Sequence, residues 1–126
     1  MVSTGVSKSL GRYPRGCTFS QEDRDAIAPF WDPIAFSHDV VEQPVAASLL
    51  DQRLVIWRTS QGVSVANDLC LHRGVPMSMG HIKDDQLICK YHGFHYDASG
   101  ACTRIPANPQ ASISQRLCLT TYPVRE

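Results

Sequence analysis

Short apolar runs separated by polar turns fill the middle of the chain. Val, Ile, Leu and Trp predominate in these runs, and such residues favour strands over helices. Turns at Asp51-Gln52 and Ser60-Gln61-Gly62 recur about every nine residues, as in antiparallel meanders and barrels. The pattern therefore predicts four strands in this half of the chain, over residues 31–36, 45–50, 54–59 and 63–67.

The β pattern continues in shorter pieces towards the C terminus. Further strands are predicted over residues 81–83, 86–89, 94–97, 101–104 and 117–124, with Asp84-Asp85 as one of the turns. One helix is predicted over residues 21–28, because Ser20 can cap it, acidic residues fill its first turn and Pro29 stops it. The predicted fold class is therefore mostly β, with antiparallel strands and a short N-terminal helix.

Residues 1–19 show no hydrophobic periodicity and are rich in Ser, Gly, Arg and Lys. We interpret them as a leader that is flexible or docks on something outside this chain. The predicted organisation is a leader with the short helix over residues 1–28 and one domain over residues 29–126. A chain of 126 residues is long enough for one domain with a modest core.

Composition narrows the expected partners and compartment. Twelve Lys and Arg balance twelve Asp and Glu, so neither nucleic acid nor an anionic membrane is expected as a partner. No apolar run approaches the roughly 18 residues of a membrane span, and the first residues lack a secretory signal. Five scattered cysteines do not resemble a disulfide framework, which suits a reducing cytoplasm.

Two mixed pairs of metal-ligating residues lie near the middle of the chain, Cys70-x-His72 and Cys89-x-x-His92. Structural zinc sites usually pair Cys with Cys and His with His within one turn. In a [2Fe–2S] cluster with both thiolates on one iron and both imidazoles on the other, each loop must supply one ligand of each type. The spacing therefore favours one such cluster per chain, with these four residues as its ligands.

Other uses of the four residues stay open. A structural zinc module would use the same ligands without a redox role. Two buried cysteines and two unrelated histidines would need no metal. A Cys-His hydrolase is the weakest alternative, because neither pair comes with an orienting acid or an oxyanion signature. His38, His81 and His95 share no ligand spacing and are placed outside the metal site.

A resemblance to a known family rests on two stretches, CLHRGVPMSMGHI and LICKYHGFHYDASGACTRIP. They are similar to the Rieske domain of the Rieske non-haem iron oxygenases, with the pattern C-P-H-R-G-x-P-L-S-x-G and then C-x-Y-H-G-W-x-F/Y-D-x-x-G-x-C. The chain departs from this pattern at Leu71, Met77, Lys90 and Phe94, none of which is a ligand. The resemblance begins near Pro29 and implies a small antiparallel Rieske-type fold with a separate cluster-binding loop subdomain.

Several further residues are expected to surround the cluster. Gly74 and Gly93 are expected to let the ligand loops fold close to it, so that backbone N–H groups face the sulfurs. Phe94 occupies the position where the family usually has Trp. Pro106 lies in a stiff loop over residues 105–109, and the resemblance implies that this loop covers one side of the cluster.

Tyr91 and Arg73 are expected to tune the site. The Tyr91 hydroxyl is predicted to donate to a sulfur, which would raise the reduction potential. Arg73 is expected to do the same, to hold the two loops together or to lie on the solvated rim. Respiratory Rieske proteins carry a disulfide at the positions of Val75 and Tyr91, so the resemblance implies the low-potential oxygenase and ferredoxin type.

An electron-transfer function follows from the resemblance and from the residues that remain. The oxygenases of this family oxidise substrates at a second, mononuclear iron held by two His and one carboxylate, and no helix here carries such a set. We therefore expect one-electron relay and no oxygenase activity from this chain alone. The resemblance implies an NAD(P)H-dependent reductase with flavin and ferredoxin-type centres as donor, and the mononuclear iron of an oxygenase, hydroxylase or N-/O-demethylase as acceptor.

Three parent systems are compatible with this reading. The chain resembles the Rieske domain of an oxygenase component, the additional N-terminal Rieske domain of a methylxanthine N-demethylase reductase, and a free-standing Rieske ferredoxin. In the oxygenases, a segment like the final Tyr-Pro-Val-Arg-Glu continues into another apolar strand. We therefore expect the chain to be a fragment of a longer protein.

Overall fold

A computed structural model describes residues 1–5 and 14–126. The α-helix α1 spans Gln21–Ile27, and two short 3-10 helices span Ser37–Asp39 and Met77–Met79. The strands are β1 Val2–Gly5, β2 Trp31–Ala35, β3 Val45–Leu49, β4 Gln52–Thr59, β5 Gly62–Asn67, β6 His81–Lys83, β7 Gln86–Ile88, β8 His95–Tyr96, β9 Cys102–Arg104, β10 Thr121–Tyr122 and β11 Val124–Arg125. The predicted mostly-β class with one short N-terminal helix is confirmed. None of the helices in this part of the chain has the length and apolar character needed to span a bilayer.

The strands form three antiparallel sheets with the orders β11-β1-β2, β10-β5-β4-β3 and β6-β7-β8-β9. Two tight hairpin turns have positive φ angles at both central residues, as two-residue turns of type I′ require. These residues are Leu50 and Asp51 in the β3–β4 turn, and Asp84 and Asp85 in the β6–β7 turn. The second turn lies where it was predicted, whereas the first lies one residue earlier than predicted because Gln52 already belongs to β4.

Strand β4 lies between two cores and contributes to both. Its alternate side chains point to opposite faces of the sheet. Leu54 and Ile56 pack in a core with β1 and β2, while Val55 and Trp57 pack in a second core. That second core contains Leu87 and Tyr96 of the third sheet together with both cysteines of the predicted metal site. The cysteine end of the site is therefore part of this core.

The predicted elements of the first half of the chain match the structure closely. The Ser20 hydroxyl accepts a hydrogen bond from the backbone N–H of Asp23, and the helix follows as predicted. Strands β2 to β7 lie within one or two residues of their predicted bounds. The long strand predicted over residues 117–124 is wrong. Pro123 splits it into β10, which pairs with β5, and β11, which pairs with β1.

The leader contains a strand that the sequence did not predict. Strand β1 pairs with β2 and β11, Val2 is fully buried, and the hydroxyl of Thr4 donates to the carbonyl of Pro123. The interpretation of residues 1–19 as an irregular leader is therefore wrong for Val2–Gly5. Residues 6–13 lie outside the described part of the chain.

Candidate metal centre

The first ligand loop leaves β5 and carries Cys70 and His72. The backbone N–H of Cys70 donates to the carbonyl of Val75 at 2.8 Å, and the N–H of Gly74 donates to the carbonyl of Cys70 at 2.8 Å. Gly74 has a φ of +71°, which lies in the left-handed region that glycine adopts without strain. The loop is therefore closed on itself around the first Cys.

The second ligand loop joins β7 to β8 and repeats this geometry. The backbone N–H of Cys89 donates to the carbonyl of Phe94, again five residues later, at 2.9 Å. Gly93 has a φ of +67°, and so it matches Gly74 four residues after the other Cys. His92 also has a positive φ of 64°, a conformation that costs a non-glycine residue roughly 1–2 kcal/mol. The fold therefore holds the backbone of His92 in a strained conformation.

The two loops bring their ligand atoms together in like pairs. The Nδ1 atoms of His72 and His92 lie 3.4 Å apart. Two nitrogens bound tetrahedrally to one metal ion at about 2.1 Å would also be about 3.4 Å apart. The Cys70 thiol is one of the neighbours that raise the pKa of Cys89, which places the two thiols near each other, and both residues are almost fully buried. The structure thus places sulfur with sulfur and nitrogen with nitrogen, with one member of each pair from each loop.

This arrangement fits two metal ions better than one. Within residues 1–5 and 14–126, no three His, Cys, Asp or Glu side chains are grouped so that they could hold a single ion. A structural zinc site needs four protein ligands around one ion, so the separated pairs do not favour it. A [2Fe–2S] cluster takes two protein ligands on each iron and supplies its own bridging sulfides. The residues present fit that group.

Burial distinguishes the two ends of the site. Burial raises the pKa of the Cys89 thiol to about 11, and the adjacent Cys70 thiol adds to the rise. Partial desolvation lowers the pKa of His72, and the nearby His92 and Arg73 lower it further. The thiols therefore lie on the core side, where a metal cation is needed to hold them as thiolates. His92 lies exposed at the surface.

An aromatic ring stacks on each of the two histidines. The Phe94 ring lies 4.4 Å from the His72 ring, centroid to centroid, with an interplanar angle of 9°. The Tyr91 ring lies 4.0 Å from the His92 ring at 23°. Phe94 is buried and comes from the loop opposite to His72, so this contact also joins the two loops. Each histidine thus has an aromatic ring stacked on it.

Tyr96, rather than Tyr91, approaches a ligand sulfur. The Tyr96 hydroxyl lies 3.5 Å from the sulfur of Cys70, within the core, and the residue is fully buried. Burial raises the pKa of Tyr96, and the contact with Cys70 raises it further. Tyr91 is about half exposed and its ring lies on His92. The position of the Tyr91 ring does not support the hydroxyl contact predicted from sequence, whereas the Tyr96 hydroxyl makes such a contact with Cys70.

Two contacts that anchor the loops were not found from sequence. The buried carboxylate of Asp68 accepts hydrogen bonds from the backbone N–H of Ser78 at 2.7 Å and from its hydroxyl at 2.6 Å. These bonds tie the two ends of the first ligand loop together. Gly80 then passes so close to Ile88 that a Cβ on Gly80 would lie 2.0 Å from the Ile88 carbonyl oxygen. Ile88 immediately precedes Cys89, so this approach sets one ligand loop against the other.

The remaining predicted residues lie around the rim of the site. A Cβ on Gly93 would lie 3.4 Å from Cγ of Pro106, so the segment 105–109 runs beside the second ligand loop. Arg73 is exposed next to His72. His95 lies near Gln86, with its Nδ1 3.0 Å from the amide oxygen.

Two curated relatives match about three quarters of this chain. The chain is 36% identical over 97 residues to the putative toluene-4-sulfonate monooxygenase system iron-sulfur subunit TsaM2 of Comamonas testosteroni, covering 76% of this chain and 28% of that protein. It is 37% identical over 99 residues to the oxidoreductase NdmD of Pseudomonas putida, covering 76% of this chain and 17% of that protein. The chain thus spans less than a third of the length of these relatives.

A solved structure gives the same result for the fold. The structure of Pseudomonas putida CBB5 NdmA superposes with a TM-score of 0.80 at 28% identity, over 84% of this chain and 34% of that one. The sequence model of the family described as the Rieske [2Fe-2S] domain matches residues 30–123, which is well over half of the chain. The chain therefore belongs to the Rieske [2Fe-2S] domain family, whose members bind a [2Fe–2S] cluster.

Proposed function

We propose that this chain transfers single electrons through a [2Fe–2S] cluster whose ligands are Cys70, His72, Cys89 and His92. The observation that carries the proposal is the separation of the ligand atoms into a buried sulfur pair and an outer nitrogen pair. When bound, such a cluster accepts and releases one electron at a time. The four side chains hold it at a fixed place between the core and the surface.

The protein's own residues set the conditions for that transfer. Both ligand loops are closed by backbone hydrogen bonds, and the first is further tied by Asp68, so the ligand atoms need little rearrangement between redox states. The buried hydroxyl of Tyr96 can donate to the Cys70 sulfur and so favours the more negative, reduced state. Phe94 excludes water from one side of His72.

The outer histidines provide the route to a partner. His92 is exposed and His72 is partly exposed, whereas both cysteines are buried. A partner that contacts the histidine end approaches the cluster without crossing the core. The electron is therefore expected to enter and leave through His72 and His92.

The relatives suggest where this relay operates. One is a subunit of a monooxygenase system and another is an oxidoreductase, while NdmA and NdmB of Pseudomonas putida are methylxanthine N-demethylases. We infer that an NAD(P)H-dependent reductase with flavin and ferredoxin-type centres supplies the electrons. The mononuclear non-haem iron of an oxygenase or demethylase receives them. The alternative is that this chain is itself a free-standing Rieske ferredoxin, which would carry electrons between the same reductase and oxygenase.

The cysteines favour a reducing compartment for this relay. All five lie in the described part of the chain, and none of them is paired in a disulfide. Free thiols of this kind persist in the cytoplasm, which we propose as the site of action.

Substitution of a single ligand tests the assignment. His92→Cys should retain a cluster, shift its absorption spectrum towards that of an all-thiolate cluster and lower its reduction potential, because a thiolate adds negative charge to the site. His81→Cys, at an exposed position outside the site, is the matched control and should leave spectrum and potential unchanged. An unchanged spectrum in His92→Cys would show that His92 is not a ligand.

An electron count tests the function itself. Anaerobic titration of the oxidised protein with dithionite should consume one electron per two irons and bleach the visible spectrum. We expect no substrate oxidation when the reduced chain alone is exposed to oxygen and an aromatic or heterocyclic substrate. A protein that holds its metal but takes up no electron would rule out the relay.

A further inference from the structure

The formal charges of this chain cancel overall but are unevenly distributed. The whole sequence has a formal net charge of zero. Both ligand loops, residues 69–76 and 89–94, lack Asp and Glu, and so does the segment 98–120. The loops instead carry Arg73 and Lys90, and both side chains are exposed. We call the surface formed by these two loops around the histidines the ligand tip.

The carboxylates around the ligand tip are engaged elsewhere or lie away from it. Asp51 lines a cavity with Leu69 and Gly74, and its carboxylate accepts hydrogen bonds from the backbone N–H and the hydroxyl of Thr18. The Asp68 carboxylate is buried and accepts two hydrogen bonds from Ser78. Asp84 and Asp85 occupy the turn at the far end of the β6–β7 hairpin, three strand residues or roughly 10 Å from the loops. The Asp85 carboxylate also accepts a hydrogen bond from the backbone N–H of Ser60, in the β4–β5 turn.

The carboxylate of Asp97, which follows the second ligand loop, is likewise engaged away from the tip. It accepts hydrogen bonds from the backbone N–H groups of Ser99 and Ala101 in the turn after β8. The positive charges of the ligand tip are therefore not balanced by an acidic neighbour within the same loops.

The centre of the ligand tip is apolar. Leu71 lies between two ligands and is 43% exposed, and Tyr91 beside His92 is 48% exposed. Large exposed apolar side chains surrounded by charged ones are typical of protein interfaces, in which an apolar centre is enclosed by a polar rim. The Tyr91 ring stacks on His92, and Leu71 immediately precedes His72 in the chain, so both apolar side chains flank the histidines through which an electron would leave.

We propose that the ligand tip docks an electron-transfer partner protein whose contact surface is acidic around an apolar centre. This inference rests on the proposed electron relay and specifies the partner for it. Arg73 and Lys90 attract the acidic rim, while Leu71 and Tyr91 contact the apolar centre. The chain has no net charge, and reduction adds one negative charge at the cluster. Arg73 and Lys90 together exceed that charge, so the steering comes from this local positive excess, which acts within a Debye length of about 10 Å at 0.1 M salt.

Two small oxidants of opposite charge test the local field at the ligand tip. The holoprotein is reduced, and its one-electron oxidation is followed by stopped flow with hexacyanoferrate(III), a trivalent anion, or with tris(phenanthroline)cobalt(III), a trivalent cation. In each reaction the electron passes from the protein to the metal complex, which is reduced by one electron. The rate with the anion should fall roughly threefold or more between ionic strengths of about 0.01 and 0.3 M. The rate with the cation should rise or stay constant.

A matched pair of variants locates the charge. Lys90→Glu should remove or reverse the salt dependence seen with the anion. Lys83→Glu makes the same change in net charge at the far end of the β6–β7 hairpin, and should leave most of the dependence in place. Equal effects of the two variants, or a salt-independent wild-type rate with the anion, would overturn the proposal.

The outcomes separate this proposal from the proposed function. A protein without a reducible cluster would refute the electron relay before any oxidant is added. A reducible protein that reacts with both oxidants independently of salt would retain the relay and refute only the acidic partner. If Lys90→Glu does not assemble a cluster, Lys90→Gln replaces it, and the wild-type comparison of the two oxidants decides by itself.

Discussion

Replacement of Gly80 by alanine tests how the two ligand loops are held against each other. A Cβ on Gly80 would lie 2.0 Å from the carbonyl oxygen of Ile88 and 3.0 Å from its carbonyl carbon. Contacts below 3.0 Å are essentially never made by a Cβ, so the two segments must separate by at least about 1 Å. Since the obstructing atoms belong to the backbone, no side-chain rotation relieves the clash.

The expected cost of Gly80→Ala is steric. Gly80 has a φ of −82° and a ψ of −155°, so the cost does not come from a positive φ. Overpacked sites lose about 1–3 kcal/mol in unfolding free energy when side chains can relax. Here the pairing of His81 with Ile88 must also shift, so we expect a loss of about 3 kcal/mol. In a domain of this size, that corresponds to a fall in Tm of roughly 10 °C.

Thermal unfolding followed by circular dichroism measures this loss, and iron analysis measures its effect on the site. Gly80→Ala should also hold less iron, because Cys89 directly follows the displaced Ile88. Gly62→Ala is the control: no atom lies within 4 Å of its added Cβ, and its φ of +120° brings only backbone strain, of about 1–3 kcal/mol, so it should lower Tm but keep the wild-type iron content. A Gly80→Ala protein with wild-type Tm and iron content would refute the role assigned to this close approach.

Three further predictions follow from the site and its support. Tyr96→Phe should lower the reduction potential by tens of millivolts, as expected for loss of part of a hydrogen bond to a charged sulfur, whereas Tyr91→Phe should not; equal shifts in a redox titration would contradict this assignment. Asp68→Ala should lower the unfolding free energy by about 1–3 kcal/mol in urea denaturation and reduce iron content, because it leaves buried donors without an acceptor. The hydrogen bond from Arg58 lowers the pKa of Glu126, so the stability contributed by this pair is complete above the usual glutamate pKa of 4.5 and is lost as pH falls through the lowered pKa. An Arg58→Ala variant should therefore lose less stability than wild type between about pH 6 and pH 3, and equal losses in thermal melts would contradict this pairing.

The type of cofactor was predictable because the information is local. A Cys and a His two or three residues apart can reach metal ions only from a short loop, so the spacing of Cys70, His72, Cys89 and His92 determined the type of site. The strands of the first half were also predictable from the apolar runs, because β4 and its neighbours bury them on both faces of a sheet.

Features that depend on distant parts of the chain were missed. Strand β1 has a polar sequence and forms through its pairing with β2 and β11. Tyr91 is adjacent to a ligand in sequence, but the positive φ angles of the next two residues belong to a turn in which its ring lies on His92. Tyr96 reaches the Cys70 sulfur only because β8 packs against the core beneath the first loop.

The family pattern C-P-H-R-G-x-P-L-S-x-G ends on Gly80, but it does not reveal the close approach of this residue to Ile88. A glycine after a short 3-10 helix is equally typical of a simple turn, and only the path of β7 shows that a Cβ has no room there. The bonds between Asp68 and Ser78 were missed for the same reason, because a polar pair ten residues apart is common in surface loops.

The most direct test of the account is an electron paramagnetic resonance spectrum of the dithionite-reduced protein, with iron, zinc and acid-labile sulfide quantified on the same sample. Two thiolates on one iron and two imidazoles on the other predict a rhombic signal with a low average g value. They also predict two irons and two sulfides per chain and no zinc. A silent protein that contains one zinc ion per chain would contradict the account, because the two ligand pairs would then hold a structural metal.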